Sequence, residues 1–120
     1  MYIRFNTYRR DEDSGRRQGV FQAAYRLLDG GDLARDEWKA IRAALDWFKQ
    51  HLPAPKDIDP RAIFWFDATA GESTRHVWAL VNLLREHGIE SEMIRTDEPG
   101  EVVYRDAYQV GAIPSKRTPK

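Results

Sequence analysis

The 120 residues include no cysteine, which removes disulfides, thiolate zinc sites and cysteine nucleophiles together. A surplus of one charge is missing too. Nineteen Lys and Arg balance nineteen Asp and Glu, for a formal net charge of zero. Nucleic-acid binders and proteins held on anionic membranes draw affinity from a basic surplus, so neither partner is expected. Long hydrophobic runs are absent as well. The longest, Ala62 to Phe66 and Val77 to Val81, fall far short of a membrane span. The first ten residues lack the apolar core of a secretory signal, because Arg4 interrupts them. A cytoplasmic protein is expected from these absences. Histidine is sparse: His51, His76 and His87 are scattered without paired spacing, and neither a metal nor another cofactor is expected. Ala70-Gly71 is too little glycine for a phosphate-cradling loop.

What is present is material for a core: 42% of the chain is hydrophobic and 12% aromatic. Residues 1 to 8 alternate. Ile3, Phe5 and Thr7 fall on one side, and Tyr2, Arg4, Asn6 and Tyr8 on the other, the pattern of a half-buried strand. RRDEDSGRR, residues 9 to 17, reads as a mobile surface loop whose charges cancel one another. A helix is predicted over Gln18 to Asp29, with Val20, Phe21, Ala24, Leu27 and Leu28 on its inner face and Gly30-Gly31 ending it. A second runs from about Leu33 to His51, carrying Ala34, Trp38, Ile41, Leu45, Phe48 and Leu52 at helical spacing. Their short link makes them an antiparallel pair, closed by Pro53 and Pro55.

AIFWF, residues 62 to 66, is too short for a helix and reads as a central strand. Thr69 and Glu72 suit a capping box for a third helix, which runs to His87-Gly88 with Val77, Leu80, Val81 and Leu84 inward. Ile89 to Thr96 predicts a strand near an edge, and Asp97 to Gly100 a turn. Glu101 to Tyr104 and Tyr108 to Ile113 predict a hairpin. The order β-α-α-β-α-β-β-β predicts an α+β two-layer sandwich, with a mostly antiparallel sheet and three helices packed on one face. Residues 1–113 form one domain in this reading, and 114–120 a flexible basic tail.

Four stretches carry a resemblance: GVFQAAYRLLDGGDL, ALDWFKQHLPAP, WALVNLLREHGIE and EPGEVVYRDAYQVGAIP. In order and spacing they resemble a family of short bacterial proteins of unknown function, with strings such as LFQAAYRL, LLDWFNENLPVP, EEHGIEVEMI and PGYIVYEDEYQVVA. The likeness spans nearly the whole chain. It implies no activity, and it supplies no catalytic residue to carry over. Where the family reads WFKDSAxEH, this chain has Asp67, Ala68 and Ser73 in place of Lys, Asp and His. A charged site in the family's loop would therefore be altered here. Glu101 also stands where the family favours Tyr.

Two sets of residues stand out. Asp67, Glu72, Ser73 and His76 follow the central strand, where carboxylate, hydroxyl and imidazole near a helix N-terminus could serve acid-base chemistry or anion binding. The plainer reading makes them capping and first-turn residues. Tyr2, Arg4, Tyr8, Trp47, Trp78 and Tyr108 are the interface candidates, on an open sheet face and on the flanks of helical stripes. Trp38 and Trp65 suit the core. The leading expectation is a protein-interaction or self-associating module, using the open sheet face or the last-strand edge, with a protein partner or a second copy. A small enzyme or ligand-binding domain at Asp67, Glu72, Ser73 and His76 is the alternative. A nucleic-acid or mobile-element accessory factor, stacking bases on Tyr2 and Tyr8 beside Arg4, is the third.

Overall fold

The computed structural model describes residues 1–52 and 55–119. Strand β1 (Tyr2–Arg10) turns into the short β2 (Arg17–Gly19). Helices α1 (Val20–Asp29) and α2 (Arg35–His51) follow, then β3 (Ile63–Asp67), α3 (Gly71–Glu86), β4 (Ser91–Thr96), β5 (Glu101–Arg105) and β6 (Gln109–Ile113). All six strands join one antiparallel sheet, and three helices pack against it: an α+β fold in the expected order of elements. The hairpin of β5 and β6 forms as predicted, and Gly88 closes α3 at φ 79°.

Strand β1 organises the sheet. Along one edge it pairs β4 from Tyr2↔Thr96 to Thr7↔Ser91. Along the other it pairs β3 at Tyr2 and Ile3, then β2 at Asn6 and Arg10. Beyond β3 lie β6 and then β5. The free edges are therefore β4, as expected, β5 and the short β2. The last strand, β6, is interior, which removes the last-strand edge as a docking site.

Side-chain alternation sorts the two faces. Ile3, Phe5 and Phe66 turn toward the helices and join Val20, Ala24, Ile41, Leu45, Phe48, Val77, Leu80, Val81 and Leu84 in the core. Trp65 and Val110, paired across β3 and β6, turn to the far face with Arg4. Trp65 is nevertheless only 1% exposed, and Val110 and Ala112 are as deeply buried. Over β3 and β6 the far face is not open: Arg4 lies over Trp65, and residues 114–119 run beside Arg4 and Ile63. There Ser115 N–H donates to Thr118 Oγ1 at 2.9 Å, and Thr118 is buried. Lys120, the last residue of the expected free tail, lies outside the described residues, as do Pro53 and Ala54.

Three local expectations are overturned. Trp38 is 42% exposed: the first turns of α2, residues 35–40, are exposed throughout, and the helix is buried only from Ile41 on, at Ile41, Leu45 and Phe48. Thr69 does not cap α3. Its hydroxyl donates to Asp67 Oδ1 at 2.7 Å, and Ala70 takes the N-cap position without a side-chain bond. The loop after β1 is shorter than predicted: Arg9 and Arg10 extend β1, and Arg17, Gln18 and Gly19 form β2.

Candidate functional site

The set after the central strand does not assemble. Asp67 accepts from the backbone N–H and the hydroxyl of Thr69, and these bonds hold its carboxyl below the ordinary carboxylate range. Ser73 is completely buried and donates to the Ala70 carbonyl at 3.0 Å. Glu72 is exposed. His76 lies flat on Trp47, with ring centroids 3.9 Å apart, and His51 stacks against the same indole at 4.4 Å. Among the described residues no hydrogen bond or ion pair links any two of the four. Asp67, Ser73 and His76 instead make local contacts, and Glu72 faces solvent.

The interface candidates divide into three places. Trp47 and Tyr108 meet edge-on at 6.0 Å in the aromatic cluster that includes His76. Trp78 sits edge-on to Phe5 with part of its surface in solvent. Tyr2, Arg4 and Tyr8 share the far face of β1, as the alternation predicted. Tyr8 is 66% exposed, with the Arg17 guanidinium 4.7 Å from its ring centroid.

The far face holds a constellation that sequence reasoning missed. Arg4, Arg10, Arg16 and Arg17 line one cavity of about 390 Å³, with Asn6, Ile63 and residues of the 114–119 segment. Local folding explains the convergence. Arg4 and Arg10 have the same parity on β1, so both point to the far face. The turn that follows brings Arg16 and Arg17 back alongside them, with Gly15 at φ 70°. Arg10 secures the return by donating to the Gly15 carbonyl at 2.8 Å. Arg17 donates through Nε to the Thr7 carbonyl at 2.8 Å and through Nη1 to Glu92 at 3.0 Å.

The acids of the loop do not neutralise these arginines. Asp11 accepts from the backbone and hydroxyl of Ser14 and from Gln22, which lowers its pKa. Among the described residues, no carboxylate of Asp11, Glu12 or Asp13 forms an ion pair with Arg9, Arg10, Arg16 or Arg17. Glu92 is the one acid so paired with the cluster. Arg4 feels the consequence most. Burial, then the charges of Arg16 and Arg17, lower its pKa to about 10. Its guanidinium lies over the Trp65 ring at 5.5 Å, and its Nε donates to Asn6 Oδ1 at 2.9 Å. Such a cluster can take an oxyanion: guanidinium forks bind carboxylate or phosphate, and an anion relieves the repulsion among them.

Among the described residues no group of acids and histidines is arranged to hold a metal ion, and no helix is long and apolar enough to cross a membrane. Compared with protein-family models, curated proteins and solved structures, the chain matches none.

Proposed function

We propose that this protein is a binding module that takes an acidic segment of a partner protein on the far face of its sheet. The observation that carries the reading is the convergence of Arg4, Arg10, Arg16 and Arg17 on one cavity whose described lining contains no carboxylate. Apolar surface adjoins the charge, from Ile63 and Pro114 in the wall to the exposed ring of Tyr8 beside Arg17. A partner that offers carboxylates and an apolar or aromatic side chain uses both. Net neutrality favours a short acidic segment over a long nucleic acid. A long polyanion draws on a basic surplus over a large surface, and a chain of zero net charge has none as a whole.

Fluorescence anisotropy with a labelled peptide of alternating Glu and Leu tests this reading, beside a labelled single-stranded oligothymidine of equal charge. The peptide is expected to bind with salt-sensitive affinity. Arg10→Glu with Arg16→Glu is expected to abolish binding, because two attractions become repulsions. Absence of peptide binding, equal binding by the double variant, or a preference for the oligonucleotide overturns the proposal.

A further inference from the structure

The helix side of β1 carries a second cavity, of about 490 Å³, between the end of β1, β2, α1 and the turn after α3. Gln18 belongs to it. Asn6 faces Gly19 and Arg10 faces Arg17 in the β1–β2 register, so Gln18 takes the opposite face. Gln18 is 3% exposed, yet no protein group among the described residues hydrogen-bonds its side-chain amide. Neighbouring Thr7 is already committed, donating its hydroxyl to the Gln18 backbone carbonyl at 3.2 Å. A buried amide needs partners for its donors and its acceptor, and those of Gln18 must be met from the cavity. Arg9 and Arg26 line the same space, and neither forms an ion pair among the described residues. Glu90 at the edge is engaged by Arg85 at 3.5 Å. Between these polar groups the wall is aliphatic, formed by Leu27 and Ile89.

We propose that this cavity binds the carboxyl end of an N-acylated aliphatic amino acid. Three features of the ligand match three of the cavity. The amide of the ligand exchanges a donor and an acceptor with Gln18. Its carboxylate takes the guanidiniums of Arg9 and Arg26. Its aliphatic side chain lies on Leu27 and Ile89, and the volume is in the range of small-ligand sites. A free N-acyl amino acid and the C-terminus of a peptide present this same chemistry. The site is independent of the arginine cluster, which lies on the other face of β1.

Isothermal titration calorimetry separates the sources. The probes are N-acetyl-leucine, the peptide acetyl-Ala-Gly-Leu with a free carboxylate, and the same peptide amidated at its C-terminus. At least one free acid is expected to bind, and the amidated peptide to bind about tenfold more weakly or worse. Equal affinity for the two acids assigns a free N-acyl amino acid, and tighter binding of the peptide assigns a protein C-terminus. Gln18→Leu and Arg26→Met are each expected to weaken binding about tenfold, while Lys39→Met on α2 leaves it unchanged. Arg26 is exposed on α1, so its variant keeps the test valid if Gln18→Leu fails to fold. No binding by either acid at millimolar concentration overturns the proposal. So does indifference to amidation, or affinity unchanged in the folded variants.

Discussion

Arg4 sits where a cation costs free energy. Its folded pKa, about 10, lies below the ordinary value, so folding penalises the charged form. That penalty is complete at all pH values below about 10 and is relieved as pH rises from there toward the unfolded value. Arg4→Met keeps an unbranched chain against Trp65 and removes the charge. It is expected to stabilise the free protein by about 1–2 kcal/mol in urea titrations at pH 7, and to weaken acidic-peptide binding. Loss of stability in this variant would show that the stack on Trp65 outweighs the repulsion. Gly100 is the opposite case, fixed by geometry. It lies at φ 114°, and an added Cβ would fall on the Ile113 carbonyl. Gly100→Ala is expected to cost more than about 2 kcal/mol. At Gly15, also at positive φ, a Cβ meets nothing within 4 Å, and the same change is expected to cost about 1 kcal/mol. Thermal melts of the two variants compare them directly. Alternation in the sequence placed Arg4 on the far face correctly. It could not show that Arg16 and Arg17 return beside it, because charge counting takes Asp11, Glu12 and Asp13 to neutralise the loop. Asp11 instead anchors the turn through Ser14.

Elements were legible where apolar spacing had one interpretation. The inner faces of α1 and α3, the central position of β3 and the β5–β6 hairpin follow from periodicity and turn residues. Strand β2 was not legible, because three residues carry too little alternation to separate a strand from a helix start. Trp38 was misplaced for a related reason: helical phase shows which residues share a face, but not where along the helix that face becomes buried. The hairpin also holds a device that spacing conceals. Asp106 accepts from the backbone N–H groups of Tyr108 and Gln109, from the Tyr104 hydroxyl and from the Gln109 side chain. Burial pushes its carboxyl up, but these four bonds together push it further down, and the net shift is below the ordinary value. A depressed carboxylate contributes stability above its unfolded pKa, and that stability is lost as pH falls through the folded value. Asp106→Ala is expected to cost about 1–3 kcal/mol at pH 7, with the difference from wild type shrinking as the pH drops below 4. Urea titrations across that range check both the size and the sign. A cost that stays constant with pH would mean that shape, not the carboxylate's charge, holds the turn.

At the scale of the molecule, the sheet needs cover on two faces and has helices on only one. Trp65, Val110 and Ala112 on the far face are nonetheless buried. The cover comes from Arg4 and from the chain after β6, which crosses back beside Arg4 and Ile63. The SKRTPK sequence concealed this role, because it has no apolar period and reads as a solvated end. What holds it is polar and local. Ser115 and Thr118 close a turn on each other, and Arg117 reaches Glu98 at 3.6 Å across the β4–β5 connection. The segment forms one wall of the arginine cavity and, bordering the Arg4 that lies over Trp65, is placed to shield that ring as well. Truncation after Pro114 removes both at once. It is expected to lower stability by about 1–3 kcal/mol, from lost apolar cover and lost turn bonds. It should also raise acrylamide quenching of indole emission, because Trp65 gains solvent while the surroundings of Trp38, Trp47 and Trp78 are unchanged. Acidic-peptide affinity falls with the missing wall, although all four arginines remain. If stability drops and quenching does not change, the neighbouring strands and Arg4 shield Trp65 by themselves, and the segment acts only as a turn. If neither changes, the far face is covered without its C-terminal strap, and the proposed acidic segment must be recognised by β1, β2 and the turn between them alone.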